Sequence, residues 1–192
     1  FVKKAMEKRA DEINTCIACN QACLDHTFKA KIASCLVNPR ACHETEPNYL
    51  PTPPRKRVAV VGAGPAGLAA STVLAQRGHQ VDLFESAGDI GGQFNMAKRI
   101  PGKEEFHETL RYFARQTDNT GVHLHVNTRV DATAVIAGGY DDILLATGIR
   151  PRHPKIPGQD EQQRAGKVLS YIDVLLHRRE VGARVAVIGA GG

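Results

Sequence analysis

Four cysteines near the start of the chain, Cys16, Cys19, Cys23 and Cys35, follow the spacing Cys-x2-Cys-x3-Cys-x11-Cys. Three closely spaced thiolates and a fourth from a returning segment form the donor set of a cubane iron-sulfur cluster, because a tight loop can hold three irons and the later segment the fourth. A second motif follows, Gly62-Ala63-Gly64-Pro65-Ala66-Gly67, set between an apolar run and a helical pattern. In such a loop Gly62 makes the tight turn, Gly64 lets backbone N–H groups approach a pyrophosphate, and Gly67 lets helix and strand pack closely. Pro65 and Ala66 then open the helix whose N-terminus meets the phosphate charge. Glu85 lies about 20 residues further on, where a carboxylate accepts hydrogen bonds from an adenosine ribose. Thiolates beside a dinucleotide loop point to electron transfer.

These residues need a frame to hold them. From Val58 onward short apolar runs alternate with amphipathic stretches: strand Val58 to Val61, helix Ala66 to Arg77, strand Val81 to Glu85, helix Glu104 to Gln116, strands Val122 to Val126 and Asp142 to Ala146. That alternation predicts an α/β fold, a Rossmann-like parallel sheet flanked by helices and preceded by a small cysteine-rich segment. Upstream, Val2, Ala5, Met6, Arg9 and Ile13 stand at helical spacing and predict an opening helix over Phe1 to Glu12. Cys16 to Cys42 reads as a compact loop with a short helix. His43 to Arg57, with Pro47, Pro51, Pro53 and Pro54, reads as a linker, and Arg55-Lys56-Arg57 as its solvated end.

Towards the end, Ser170 and Asp173 form a capping pair for a helix to about Arg179, and Arg184 to Ile188 reads as a last strand. Val58 to Gly64 and Val185 to Gly191 write the same strand and turn twice, so Gly189 and Gly191 would open a second dinucleotide site. The expected organisation is a cluster-binding segment over 1–46, a linker over 47–57, a dinucleotide-binding domain over 58–183 and the start of a second one over 184–192. The chain reads as a piece of something longer.

Composition narrows the classes. With 42% apolar residues the chain can build a core, and a net charge of +5 spread among acids, 5% aromatics and no Trp argue against a nucleic-acid partner. Five cysteines are an odd number packed into one quarter of the chain, which favours metal ligation in a reducing cytoplasm over a disulfide framework. No apolar run approaches the roughly 18 residues that span a bilayer, so no membrane partner is expected.

Gly91-Gly92-Gln93 after Glu85, and Ala146-Thr147-Gly148 at a later strand end, resemble the flavoprotein disulfide-reductase-like superfamily, in which an FAD domain carries an inserted NAD(P)H domain. Read alone, the first is also compatible with a flexible turn and the second with a plain strand exit. The cysteine segment, with Ser34-Cys35-Leu36-Val37-Asn38-Pro39-Arg40-Ala41-Cys42, Gly91 to Asn95 and Ile100 to Phe106, is similar to the 2,4-dienoyl-CoA reductases of the old-yellow-enzyme-related iron-sulfur flavoprotein family. The resemblance covers essentially the whole chain.

It implies that Cys16, Cys19, Cys23 and Cys35 ligate a 4Fe-4S cluster and that Gly62 to Gly67, Glu85, Gly91 to Gln93, Thr147 and Gly148 serve FAD. It further implies an upstream FMN barrel and a downstream NADPH domain against which this chain packs, an unsaturated acyl-CoA substrate, and electrons passing from NADPH through FAD, cluster and FMN. No catalytic residue then lies in this chain. Enoate reductases of the same family are an alternative, as are amine dehydrogenases, whose Cys-x2-Cys-x2-Cys opening differs from the x3 spacing here. A zinc-stabilised or nucleotide-sensing module is an alternative of another class, although zinc favours paired Cys-x2-Cys units. Cys42 falls outside the pattern and reads as a buried or free thiol with His43 beside it as a loop residue, and His123 and His125 read as solvent-facing strand residues.

Overall fold

Val58 and Val60, and Val81 and Leu83, stand two apart in two short runs, so an extended chain turns each pair to one face. The computed structural model describes residues 1–46, 48–152, 154 and 156–189. In it these runs become neighbouring strands of a four-stranded sheet, β1 (Arg57–Val61), β2 (Gln80–Phe84), β3 (His123–His125) and β4 (Asp142–Leu145), in the order β3-β2-β1-β4. All pairings are parallel, with Val58 opposite Val81 and Asp142, and Leu83 opposite Leu124. The α/β parallel-sheet fold expected from the alternation is the fold observed.

The helices in chain order are α1 (Val2–Met6), α2 (Leu24–Phe28), α3 (Pro65–Gln76), α4 (Phe94–Ala97), α5 (Phe106–Thr120), α6 (Ala132–Ala137), α7 (Gln159–Arg164) and α8 (Tyr171–Leu175). The chain builds outwards from β1 to β3 and then returns to the far side of β1 to lay down β4. Beyond the carboxyl ends of β1 and β4 the strand order therefore reverses, which is where open α/β sheets take their ligands.

One face of the sheet carries the core. Val58, Val60, Val81, Leu83 and Val122 pack with Ala63 and Leu68, and Leu74, Phe113 and Leu144 close around them. Leu68 and Leu83 are fully buried, and each such side chain contributes about 1.5–3 kcal/mol of transfer free energy.

The opposite face is more polar than the alternation suggested. Asp82 is buried on β2, accepts a hydrogen bond from His125 Nε2 at 2.9 Å and lies 3.5 Å from His123 Nδ1 on the neighbouring strand. The two histidines are thus half-exposed partners of a buried carboxylate rather than purely solvent-facing, because the register sets Asp82 opposite His123. Phe84 stacks on His125 with ring centroids 4.8 Å apart, and Tyr140 meets Phe84 edge-on. Partial burial and the neighbouring Asp82 raise the Tyr140 phenol. Arg57 covers the Tyr140 ring, its backbone N–H donates to Asp141, and Lys56 pairs with Asp142 at 2.8 Å. The stretch read as a solvated linker end is therefore tied to the sheet edge.

Other expectations are modified. The opening helix stops at Met6, because Lys8 takes a left-handed conformation (φ 58°), and a short 3-10 turn over Ala10–Glu12 follows. Arg9 bridges the break by holding both Glu7 and Glu12. Helix α5 runs on to Thr120 and ends at a left-handed Gly121. α6, not anticipated, is capped by Asp131, whose carboxylate accepts from the Ala134 N–H.

Residues 1–149 form one compact unit and 150–192 a second. In the second, Ser170 and Asp173 make the expected reciprocal capping box, though α8 ends at Leu175. Arg184 to Ile188 form no strand among the described residues, and Val185, Val187 and Ile188 are exposed. An apolar run becomes a strand only with a neighbour to complete its ladder. Gly191 lies outside the described residues.

Leu68→Ala should cost about 2–5 kcal/mol, since it empties a fully buried position between helix and sheet. Urea denaturation measures this, and a loss under about 1 kcal/mol would mean that the core is not centred there.

Candidate flavin-nucleotide site beside a thiol segment

β1 delivers the chain into Gly62, whose φ of 105° suits glycine. A Cβ there would stand 2.4 Å from the Ala146 carbonyl oxygen, and one on Gly67 would stand 1.8 Å from the Gly62 carbonyl oxygen. Helix α3, the β1 turn and the end of β4 are pressed together by the absence of these two side chains. Gly64 differs. Its backbone (φ −72°, ψ 178°) suits any residue, and a Cβ built on it meets nothing within 4 Å. Neither strain nor packing within the chain requires glycine at this position, whereas the close approach of another molecule would.

Helix α3 begins at Pro65, with no side chain capping its N-terminus. Its first N–H groups lack intrahelical acceptors and carry the positive end of the helix dipole, a combination suited to phosphate. Proline at the first helical position supplies a preset φ and gives up an N–H that no helical partner needs.

Glu85 follows β2, placing its carboxylate against the loop. Oε2 accepts the Ala63 N–H at 2.9 Å and Oε1 accepts the Ala87 N–H at 2.8 Å. The Ser86 hydroxyl adds a longer bond to Oε1 at 3.3 Å. A carboxylate has about four acceptor directions, so one, on Oε2, remains for a ribose hydroxyl, and a second opens if the Ser86 hydroxyl turns away. The Gly91 N–H donates to the Ala63 carbonyl at 2.7 Å, and a Cβ on Gly92 would meet Gly64 Cα at 3.1 Å, so this turn stacks directly on the glycine loop. Gln93 stands at the N-cap position of α4 just beyond it, without a side-chain capping bond. Thr147 and Gly148 lie at the β4 exit, where the Ala146 N–H donates to the Val61 carbonyl. Gly62, Gly64, Pro65, Ala66, Gly67, Glu85, Gly91, Gly92, Thr147 and Gly148 thus gather at the carboxyl ends of β1 and β4. Gly189 belongs to the second unit and carries a φ of 97°.

The cysteines form the second part. Cys16 and Cys23 are exposed, Cys19 and Cys35 half-buried, and all four carry free thiols, as does the exposed Cys42. The Ala18 N–H points to Cys16 Sγ at 3.3 Å, with Ala18 and Asn20 both left-handed. Cys23 stands at the start of α2. The Ser34 N–H donates to the Ala22 carbonyl at 2.7 Å and Asn14 Nδ2 donates to the Val37 carbonyl, so the arm bearing Cys35 is bound to the arm bearing the other three. Among the described residues no three His, Cys, Asp or Glu side chains converge as a metal-ligating group. The donor set, four free thiols on two cross-tied arms with an N–H already aimed at one sulfur, fits a cluster in its chemistry.

Arg111 was not singled out by sequence reasoning, which saw only a basic residue in an amphipathic helix. From α5 it donates to Glu108 and to the carbonyls of Ala10, Asp11 and Ile13 in the stretch leading to Cys16. The one legible signal was Glu108 three residues before it, which reads as an ordinary surface pair. Tyr112, beside it, is raised above the usual phenol value by burial, with Tyr49 adding to the effect.

Residues 56–192 match the family model described as pyridine nucleotide-disulphide oxidoreductase. The chain belongs to that family. It is 36% identical over 192 residues to a metal reductase of Desulforamulus reducens, covering 98% of this chain and 28% of that protein. It is 33% identical to a cinnamate reductase of Clostridium sporogenes, covering 98% of this chain and 27% of that protein. Among solved structures, a 2-naphthoyl-CoA reductase complex superposes with a TM-score of 0.86 at 37% identity, over 94% of this chain and 27% of that one. Histamine dehydrogenase from Rhizobium sp. 4-9 superposes with a TM-score of 0.73 at 30% identity, over 81% and 23%. The chain therefore spans less than a third of the length of these relatives. They are named as reductases and dehydrogenases, in keeping with the oxidoreductase family whose model the chain matches. No helix among the described residues is long and apolar enough to cross a membrane.

Gly67→Ala should destabilise the protein by about 1–3 kcal/mol, because the new methyl meets backbone rather than a yielding side chain. Gly64→Ala should cost no more than about 1 kcal/mol, the difference between glycine and alanine at a helix N-cap, yet lose flavin affinity about tenfold or more. Thermal melts paired with flavin titrations separate the two effects; wild-type flavin affinity in Gly64→Ala would remove Gly64 from the phosphate site.

Proposed function

We propose that this chain is the electron-relay part of an NADPH-dependent iron-sulfur flavoenzyme that reduces a 2,4-dienoyl-CoA or a related unsaturated substrate. The observation that carries the reading is Gly64, a glycine that neither strain nor packing requires, at the mouth of an uncapped helix in the same compact unit as four free thiols. A bound FAD would take a hydride from the nicotinamide, and a 4Fe-4S cluster would pass electrons singly to an FMN outside this chain.

The residues of the chain bind and orient. The first N–H groups of α3 and the backbone around Gly64 would hold the pyrophosphate, Glu85 the ribose, and the 91–93 and 147–148 turns the remaining nucleotide. Cys16, Cys19, Cys23 and Cys35 would be the iron ligands, leaving Cys42 free. Gly189 and Gly191 would open the NADPH site. The likeness to a 2-naphthoyl-CoA reductase supports an unsaturated thioester as substrate and a cytoplasmic setting suits free thiols. The likeness to histamine dehydrogenase favours a second reading, oxidation of an amine, against which the x3 spacing between Cys19 and Cys23 argues.

Anaerobically purified protein should carry iron, sulfide and flavin, with about four irons per chain and broad visible absorption. Cys35→Ala should lose most of that iron while Cys42→Ala keeps it. A colourless, zinc-containing preparation would sink the relay reading, and loss of iron in Cys42→Ala would reassign the ligands.

A further inference from the structure

Leu110 and Arg111 are consecutive residues on α5, and they touch the two halves of the site. Leu110 lies under the turn that buttresses the glycine loop, its methyls 2.6 and 2.9 Å from where a Gly91 Cβ would stand. Arg111 reaches the other way, into the stretch that ends at Cys16. Its Nη1 donates to the Asp11 carbonyl and, at 3.5 Å, to that of Ala10, and its Nη2 donates to the Ile13 carbonyl at 3.0 Å and to Thr15 Oγ1 at 3.4 Å. Glu108 holds Nε at 2.7 Å and so orients the fork, and Arg115 adds an ion pair to Asp11 at 2.8 Å.

The contact does not stop at the first arm. Asn14, inside the clamped stretch, ties to Val37, two residues past Cys35. Both cysteine arms are thereby referred to one guanidinium, and that guanidinium to the helix turn that supports the flavin side.

We infer that Arg111 is a positioning residue that locks the thiol segment to the flavin domain and fixes the separation across which electrons pass between them; the electron-transfer half of this rests on the function proposed above. A lysine keeps the charge but presents a compact ammonium in place of a planar fork, and so does not reproduce the multiple acceptor pattern.

The test uses the full-length protein, purified anaerobically with its cofactors, as wild type, Arg111→Ala and Arg111→Lys. Hydrogen exchange should rise at residues 10–15 in both variants. In stopped flow, flavin bleaching by NADPH should stay within about twofold, while bleaching of the iron chromophore slows about tenfold or more, as misplacement of a held group does. Rescue by Arg111→Lys, unaltered exchange, or equal slowing of both phases would overturn the positioning role. Wild-type protein without iron would instead overturn the proposed function, while the exchange data would still judge the docking.

Discussion

The structure turns on one close approach, that of helix α3 to the turn from which it springs. A Cβ on Gly67 would stand 1.8 Å from the Gly62 carbonyl oxygen, and one on Gly62 would stand 2.4 Å from the Ala146 carbonyl. With hydrogen in both places, the end of β1, the start of α3 and the end of β4 close to backbone contact. The helix N-terminus then sits at the reversal of strand order, and Glu85 and the Gly91 turn find Ala63 within hydrogen-bonding reach. Each later element of the site takes its position from that contact.

Much of this was legible in the sequence because its causes are local. Alternation of apolar residues identified β1 and β2, the glycine spacing identified the turn, and the reach of a carboxylate about 20 residues later identified Glu85. The capping box at Ser170 and Asp173 was legible for the same reason, since both partners lie within one turn. What was not legible depends on partners far apart in sequence. Nothing near Arg111 announces carbonyls roughly a hundred residues upstream, and nothing in the His123-Leu124-His125 alternation announces a buried Asp82 on the next strand. The run Val185 to Ile188 shows the converse: apolar residues of strand type form no ladder among the described residues.

The two halves of the site are stabilised differently. The glycine-loop side is held by close backbone contact and an apolar core of Val60, Leu68, Leu83 and their neighbours. The thiol side has little core of its own; within residues 1–46 Ala22 is the buried apolar residue. It is organised by polar ties, namely Arg9 to its two glutamates, Asn14 to Val37, Ser34 to Ala22 and the Arg111 fork. A segment so short cannot bury enough surface to fix itself, so it borrows order from the domain beside it.

That borrowing has a consequence for how freely the segment can change over evolutionary time. Three of the groups that Arg111 grips are main-chain oxygens, at Ala10, Asp11 and Ile13, and a carbonyl is the same whatever side chain stands beside it. As far as this grip is concerned, residues 10 and 13 can be exchanged without loss, whereas Asp11 also carries the ion pair to Arg115 and substitutes for the guanidinium are few. Selection to keep the joint therefore falls on the helix that reads the segment and on the few side chains that answer it, Asp11, Asn14 and Thr15, and leaves positions such as 10 and 13 free to adapt to other neighbours.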